Sequence, residues 1–292
     1  MKEIIVALAT PFTKQDTINF GVLDLMIEKN LKEGATGFFV GGSAGEGLLL
    51  TFEERMALIA YLAPYAKKTR LLANVSAPSA KEASLLAAAA EKGGYYAISS
   101  VVPYYYKHAM PAIAAYFRAV METCALPMLI YNFPGNTGTY LDLNHQSIID
   151  LLNHPKILGT KHTNRDLYEL ERMMRINPNL DFYNGYDETF LNALPMGIKG
   201  AIGSTFNITT SIFVSIAALY EAGEIEKAMG KQKEANMIMD VLIEAGLIAG
   251  IKYAYECLGM PVGEPRLPFL PLGQTSKQKI QSITEKYLVN DG

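Results

Sequence analysis

Short apolar segments alternate with helix-like segments as far as residue 222, and this alternation limits the fold more than any other feature. Each apolar segment has four to seven residues and is closed by Gly, Pro, Asn or Ser, which is typical of a strand in a parallel sheet. Eight strands are predicted, at residues 4–10, 36–41, 70–76, 95–100, 127–132, 156–161, 181–185 and 200–204. This number predicts the α/β class and a closed (β/α)8 TIM barrel. An open doubly wound sheet is the alternative, but the chain lacks the Gly-rich dinucleotide fingerprint.

The intervening segments carry helix-start and helix-stop signals. Thr51 with Glu54, and Ser79 with Glu82, have the spacing of a capping box at a helix N-terminus. The first predicted helix should end near Gly34, since glycine favours the backbone conformation that follows a helix. Its apolar face consists of Leu23, Met26, Ile27 and Leu31.

From Ser211 onward the pattern is helical only. The first of these segments can serve as the eighth barrel helix, and the rest is interrupted by a Pro-rich loop over residues 261–271. We therefore predict a barrel domain over residues 1–222 and a C-terminal helical extension over residues 223–292 that packs on the barrel. Such an extension either covers the side of the barrel or builds a subunit interface.

Composition excludes several classes of protein. The 292 residues include 26 Lys and Arg against 29 Asp and Glu, a net charge of −3, and no basic run suggests nucleic-acid binding. No apolar run approaches the ~18 residues of a membrane span, and the N-terminus lacks a signal-type apolar region. The two cysteines, Cys124 and Cys257, and the four histidines have no metal-ligand spacing. We expect a cytoplasmic protein that needs no metal or cofactor.

In a barrel of this kind the chemistry lies at the C-terminal ends of the strands. Lys161 ends predicted strand six, after the apolar segment Ile157–Thr160. A lysine there can simply extend to solvent. Alternatively, desolvation lowers its pKa and leaves a neutral amine that can attack a carbonyl. The resulting Schiff base makes the substrate an electron sink without a metal.

Tyr131 ends predicted strand five, so it lies beside Lys161 in the barrel. Its hydroxyl can point into water at the rim, as tyrosines often do. It can also carry a proton to and from a group bound at Lys161. The second role requires another residue to hold the hydroxyl.

The Gly-rich segment GGSAGEG (41–47) follows predicted strand two. In one interpretation the glycines have no role beyond letting the chain reverse its direction. Consecutive backbone N–H groups with the Ser43 hydroxyl can instead bind a small anion. No Gly-Lys-Ser/Thr follows, so the segment is not a nucleotide-binding P-loop, and a carboxylate is the better ligand.

Asp187 and Glu188 follow predicted strand seven, and Ser204 ends strand eight. Both acidic residues can be structural, with Asp187 as a helix N-cap and Glu188 in the first helical turn. At the barrel mouth they can also accept hydrogen bonds from the hydroxyls of a sugar. Sequence pattern alone leaves both interpretations open.

Together, these segments resemble the N-acetylneuraminate lyase / dihydrodipicolinate synthase family, which are pyruvate-dependent aldolases working through a Schiff base on a (β/α)8 barrel. The resemblance covers nearly the whole chain in family order and spacing. Its motifs are ALATPF, GGSAGEG, VVPYYY, YNFPGNTG, GTKHTNRDLYELERM, NGYDETF and GAIGSTFNI. The resemblance implies no cofactor, a small keto-acid substrate and a homotetramer.

The resemblance also implies roles for individual residues. Lys161 would form the Schiff base, Tyr131 would relay a proton, and Tyr105 would reach into a neighbouring subunit's site. The substrate carboxylate would bind at Ser43 and Ala44. The sugar tail of the substrate would contact a further set: Thr163, Gly185, Asp187, Glu188 and Ser204.

Within the family the motifs favour the lyase branch. The synthase branch has an arginine after the relay tyrosine, and this chain has Asn136. The implied reaction is cleavage of N-acetylneuraminate to N-acetylmannosamine and pyruvate. One departure is Ala44, where the family loop normally has a second hydroxyl residue. A missing hydrogen bond of roughly 0.5–1.5 kcal/mol predicts a slower enzyme, by about two- to twelvefold.

Two alternatives remain open at this point. The first is another pyruvate aldolase of the family, acting on a 2-keto-3-deoxy sugar acid or as a dihydrodipicolinate synthase, which the Ala44 departure favours. The second is a homologue that binds a keto acid without turnover. The joint presence of Lys161, Tyr131 and Tyr105 argues against this second alternative.

Overall fold

A computed structural model describes residues 1–289. Parallel strands follow one another in chain order around a closed barrel, which β8 completes by pairing with β1. The strands are β1 (Glu3–Ala7), β2 (Gly37–Val40), β3 (Arg70–Asn74), β4 (Ala97–Val101), β5 (Met128–Asn132), β6 (Ile157–His162), β7 (Asp181–Asn184) and β8 (Gly200–Gly203). The predicted TIM barrel is confirmed, and the predicted strands differ from these mainly at their ends.

Helices lie between the strands and form the outer layer. They are α1 (Phe20–Lys32), α2 (Phe52–Leu62), α3 (Ala80–Lys92), α4 (Met110–Met121), α5 (Pro134–Thr137), α6 (Gln146–Leu152), α7 (Leu167–Ile176), α8 (Phe190–Ala193) and α9 (Phe206–Glu221). The helix predicted from Ser211 begins five residues earlier, at Phe206. Its first turn, Phe206–Ile208, joins the rest of α9 across a kink at Thr209.

One predicted capping box is confirmed and the other is wrong. Thr51 accepts a hydrogen bond from the Glu54 N–H at 3.2 Å, and Glu54 accepts one from the Thr51 N–H at 2.9 Å. Ser79 occupies the N-cap position of α3, but its side chain makes no capping hydrogen bond. Spacing therefore located both helix starts and identified the capping contact at only one of them.

Two apolar cores hold the barrel together. One fills the barrel interior with side chains that include Ile5, Leu72, Leu129 and Ile202. The other lies between the strands and the surrounding helices. Each fully buried large apolar side chain contributes about 1.5–3 kcal/mol, so the two cores give a rigid frame for residues at the strand ends.

The C-terminal helices are α10 (Ile225–Ala245), α11 (Leu247–Cys257) and α12 (Gln274–Tyr287), and α10 packs along α9. Gly246, with φ +100°, separates α10 from α11. The segment after α11 returns to the barrel mouth, where the Phe12 N–H donates to the Val262 carbonyl at 2.8 Å. The division at residue 222 stays a prediction, and residues 290–292 lie outside the described residues.

Among the described residues, none of the helices combines the length and apolar character that a membrane crossing needs.

Candidate active site

Sheet register places the two central side chains next to each other. Tyr131 on β5 pairs with Lys161 on β6, and Lys161 pairs with Tyr183 on β7. Strand alternation points Lys161 into the barrel, where only 4% of it is exposed. Its Nζ lies 4.2 Å from the ring centroid of Tyr131 and 4.5 Å from that of Phe39. The amine is therefore held between aromatic rings rather than in solvent.

Burial lowers the pKa of Lys161 from its usual 10.5 to about 7, and the nearby Asp187 carboxylate offsets part of this fall. An amine with this pKa is largely neutral at slightly alkaline pH. A neutral amine has the lone pair that attack on a carbonyl needs. Of the two interpretations of Lys161, the geometry supports the nucleophile and not the solvated lysine.

Tyr131 is 3% exposed, and its hydroxyl lies 3.4 Å from Ser43 Oγ. Burial raises the pKa of Tyr131 to about 12, against the effect of the Ser43 hydrogen bond. The phenol therefore keeps its proton at neutral pH. With Ser43 Oγ near its hydroxyl and Lys161 beside its ring, Tyr131 lies where a proton relay would be needed.

The loop over residues 41–47 presents a backbone anion site. Across the described chain, the N–H groups of Ser43 and Ala44 donate to no protein acceptor. Gly47 is required here, because a Cβ at this position would lie 1.8 Å from the Gly41 carbonyl oxygen. The N–H group of residue 44 is a backbone group, so alanine at this position provides it as well as threonine or serine would. Together with the Ser43 hydroxyl, these groups form a site of suitable chemistry for a carboxylate.

Asp187 is buried at the mouth, and it is not the N-cap of the short 3-10 helix Asp187–Thr189, whose N-cap is Tyr186. Its Oδ2 accepts hydrogen bonds from the Thr205 N–H at 2.8 Å, the Thr205 hydroxyl at 2.7 Å and the Ser204 hydroxyl at 3.5 Å. Burial raises the pKa of Asp187 to about 6, and the Thr205 hydrogen bonds work against this rise. Its Oδ1 is buried and has no hydrogen-bond partner among the described residues. One acceptor atom is therefore left for another group.

Three other predicted mouth residues lie on the segments that follow β6 and β7: Thr163, Gly185 and Glu188. Gly185 must be glycine, because a Cβ there would lie 1.9 Å from Thr163 Oγ1. Glu188 is partly exposed and its Oε1 lies 3.3 Å from Nη2 of Arg165. Arg165 also lies over the Tyr186 ring, at 5.4 Å from its centroid. We did not predict this arginine from the sequence, although its position just after strand six could have indicated it.

Tyr105 is the one predicted catalytic residue that a single chain does not bring to the site. It is 86% exposed, and its ring packs edge-on against Tyr106 with centroids 5.0 Å apart. Its φ of +77° lies in the left-handed region, which side chains other than glycine rarely adopt. In a single chain the side chain of Tyr105 therefore lies largely in solvent.

A buried polar cluster behind the central pair was also missed by the sequence patterns. Asn132 and His162 follow Tyr131 and Lys161 on β5 and β6 and point to the helix layer. The Asn132 amide lies 3.3 Å from His162 Nδ1 and donates to Glu169 of α7 at 3.2 Å. These contacts connect the ends of the two strands that carry the central pair. Within residues 1–289, His, Cys, Asp and Glu side chains form no cluster of three or more suited to a metal ion.

The Schiff base that the family resemblance implies at Lys161 is expected to form faster as pH rises through about 7, since deprotonation produces the neutral amine. Asp187→Asn removes a charge that raises the pKa of Lys161, so this rising limb should move to lower pH. The measurement is the rate of borohydride-trapped pyruvate adduct between about pH 5 and about pH 9. Glu188→Gln is the matched control and should leave the limb in place. An unchanged or upward-shifted limb in Asp187→Asn would contradict the coupling.

Comparison with known proteins identifies relatives along the whole chain. The model of the "Dihydrodipicolinate synthetase family" matches residues 1–287. The N-acetylneuraminate lyase of Rhizobium meliloti (strain 1021) is 36% identical over 264 residues, which is 90% of this chain and 87% of the relative. The N-acetylneuraminate lyase of Escherichia coli (strain SMS-3-5 / SECEC) is 33% identical over 100% of this chain and 99% of the relative.

A solved structure is similar to this chain over almost its whole length. The crystal structure of CdNal from Clostridium difficile, in complex with mannosamine, superposes with a TM-score of 0.94 at 32% identity. The match covers 98% of this chain and 99% of that one. The family predicted from the seven sequence motifs is confirmed: the chain belongs to the dihydrodipicolinate synthetase family, the (β/α)8 carbon–carbon lyases that include N-acetylneuraminate lyase.

Proposed function

We propose that this protein is an N-acetylneuraminate lyase that cleaves its substrate to N-acetylmannosamine and pyruvate through a Schiff base on Lys161. The observation that carries the proposal is the buried amine of Lys161, with a pKa of about 7, next to the Tyr131 ring. Full-length relatives that bear the name N-acetylneuraminate lyase support the choice of substrate, as does the relative solved with mannosamine.

The reaction begins with attack of the Lys161 amine on the C2 ketone of the open-chain sugar, which loses water to give an iminium. Tyr131 then accepts the proton of the C4 hydroxyl while it passes its own proton to the substrate carboxylate. This relay fits a phenol that is protonated at rest. The C3–C4 bond breaks, its electrons move into the iminium to form an enamine, and N-acetylmannosamine leaves. The proton held by the carboxyl group is then transferred to C3 of the enamine, and addition of water to the resulting iminium releases pyruvate and the free amine.

Binding is divided between the two sides of the mouth. The keto-acid carboxylate accepts hydrogen bonds from the Ser43 hydroxyl and from the N–H groups of Ser43 and Ala44. These two N–H groups donate to no protein acceptor in the described chain. The hydroxyl groups of the sugar tail bind on the opposite side of the mouth, where Asp187 Oδ1 is buried without a hydrogen-bond partner among the described residues. The other groups proposed to contact the tail are Thr163, Gly185, Glu188 and Ser204.

The working enzyme is proposed to be a cytoplasmic homotetramer. The outward side chain of Tyr105 supports an oligomer, because it reaches a site only if that site belongs to a neighbouring copy. In that arrangement Tyr105 of one subunit extends the relay that begins at Tyr131 of the next.

The test is a comparison of substrates with release of the aldehyde product as the readout. N-acetylneuraminate should be cleaved with a higher kcat/KM than a 2-keto-3-deoxy sugar acid. Condensation of pyruvate with an amino-semialdehyde, the synthase reaction, should be slower still, because Asn136 replaces the synthase arginine. Preference for a 2-keto-3-deoxy sugar acid would favour the second candidate, another aldolase of the family, which Ala44 supports. Binding of pyruvate without cleavage of any substrate would indicate a non-catalytic homologue.

Ala44→Thr is expected to raise kcat by about two- to twelvefold, since it restores one hydrogen-bonding hydroxyl near the Tyr131 relay. Ala44→Val has the same shape without the hydroxyl and serves as the matched control. The measurement is kcat for N-acetylneuraminate cleavage in all three proteins. If the valine variant gains as much as the threonine variant, the hydroxyl is not the cause. If neither gains, the missing hydroxyl does not limit the rate.

A further inference from the structure

A buried ion pair joins the C-terminal helices to the loop at the barrel mouth. Lys252 of α11 and Glu46 of the 41–47 loop approach to 2.5 Å between Nζ and Oε1, with side chains 1% and 0% exposed. They are separated by more than two hundred residues in the chain. Removing two charges from water is costly, so such a pair is weak evidence for stability alone. It does fix the positions of the two segments that carry it.

Both partners have further contacts that restrict them. Glu46 Oε2 accepts a hydrogen bond from the Arg266 N–H at 2.7 Å, and Lys252 Nζ donates to the Glu264 carbonyl at 3.2 Å. The Phe12 ring lies close to both cations, with Lys252 Nζ 4.1 Å and the Arg266 guanidinium carbon 4.3 Å from its centroid. The carboxylate of Glu46 is therefore bound by two groups of the C-terminal segment, the Lys252 amine and the Arg266 N–H.

The backbone at Glu46, where these contacts meet the loop, has an unusual conformation. Glu46 has φ +53°, a left-handed conformation that residues other than glycine rarely adopt. In this conformation its N–H donates to the Ser43 carbonyl at 3.1 Å. That carbonyl and the Ala44 N–H belong to the same peptide unit, and a peptide unit is planar. Fixing the carbonyl therefore fixes the direction in which the Ala44 N–H points.

We propose that Glu46 and Lys252 are positioning residues for the substrate carboxylate. The C-terminal segment holds the loop through this pair, so that the N–H groups of Ser43 and Ala44 point together at the carboxylate. This inference rests on the proposed function, in which that loop binds the carboxylate of a keto acid. It gives the helices that follow the barrel a role in substrate binding, beyond covering its side.

The test uses three variants: Lys252→Met, Glu46→Gln and the double variant. Breaking the pair should raise the KM for N-acetylneuraminate by roughly tenfold. The pyruvate concentration that gives half of the maximal adduct should rise by the same factor, because tenfold is the effect of losing about one charge-assisted hydrogen bond. The kcat should change by less than about twofold, because the reacting groups are untouched. In the double variant the thermal stability lost in Lys252→Met should return, since no buried charge remains unpaired. Its KM should stay high.

Arg70→Met is the control for a general loss of an ion pair. It breaks the Arg70–Glu3 pair at the other end of the barrel and should leave KM unchanged. A wild-type KM in a stable double variant would overturn the inference and leave the pair a purely structural role. A wild-type enzyme that forms the pyruvate adduct but spares N-acetylneuraminate would contradict only the proposed substrate, and the adduct measurements would still test the pair. A wild-type enzyme that forms no adduct would overturn both.

Discussion

Replacing Lys161 with methionine is expected to abolish cleavage and, at the same time, to make the protein more stable. Loss of the nucleophile should lower kcat by more than about 10³-fold, because no other route to the imine exists in the proposed mechanism. The variant should also form no adduct with pyruvate. Turnover close to that of the wild type would remove Lys161 from the mechanism.

The gain in stability follows from the pKa of Lys161. Folding moves this pKa from 10.5 to about 7, so the unfolded chain binds the proton more tightly than the folded one. Near neutral pH this costs the wild type about 4 kcal/mol. Methionine has a similar length and carries no charge, so Lys161→Met should avoid the cost and raise Tm by several degrees.

The pH dependence separates this cause from a general packing effect. Between the folded and unfolded pKa values the wild type gains stability as pH rises, because its unfolded state loses the extra proton. The difference in Tm between the variant and the wild type should therefore be large near pH 7 and shrink toward pH 10. A difference that stays constant with pH would show that the amine is not held neutral by burial.

Tyr131→Phe is expected to lower kcat for N-acetylneuraminate by about 10²–10⁴-fold, the usual range for loss of a general acid–base group. The pyruvate adduct on Lys161 should still form, because the amine keeps its buried position. Ser43 loses its partner at 3.4 Å, a weak contact, so the fold should be little affected. The measurements are steady-state kcat and the yield of the borohydride-reduced adduct.

Tyr116→Phe is the matched control, since it removes a buried tyrosine hydroxyl from the helix layer. That hydroxyl donates to the Ala77 carbonyl at 3.0 Å and lies outside the barrel interior. This control should lose some stability and keep its kcat. Equal losses of kcat in both variants would mean that the effect of Tyr131→Phe is structural, and a Tyr131→Phe enzyme with normal kcat would contradict the relay.

Sequence patterns predicted the barrel well because each strand is an apolar run closed by a turn residue, and the eight repeats leave few topologies open. The same regularity predicted that Lys161 and Tyr131 would lie side by side, as neighbouring strand ends must in a closed parallel sheet. Local signals were less reliable. The spacing at Ser79 matches a capping box that does not form, and Gly246 breaks a helical segment that reads as continuous.

Contacts between distant segments could not be predicted from one sequence. Asp187 is held by Thr205 on the neighbouring loop, and the Glu46–Lys252 pair depends on how the last helices fold back to the mouth. No periodicity or motif encodes such a pairing, because it arises only once the barrel has closed. The role of Tyr105 stays a prediction, since it depends on a second copy of the chain.

One measurement tests the central claim most directly: the intact mass of the protein after borohydride reduction, with N-acetylneuraminate as the only added substrate. A reduced pyruvate-sized adduct that maps to Lys161 is the predicted result, because it requires both the imine and cleavage of the C3–C4 bond. An unmodified protein under these conditions, with a reduced adduct formed from added pyruvate, would contradict the proposed substrate and leave the Schiff-base chemistry in place. An unmodified protein with both compounds would contradict the account of Lys161 as the nucleophile.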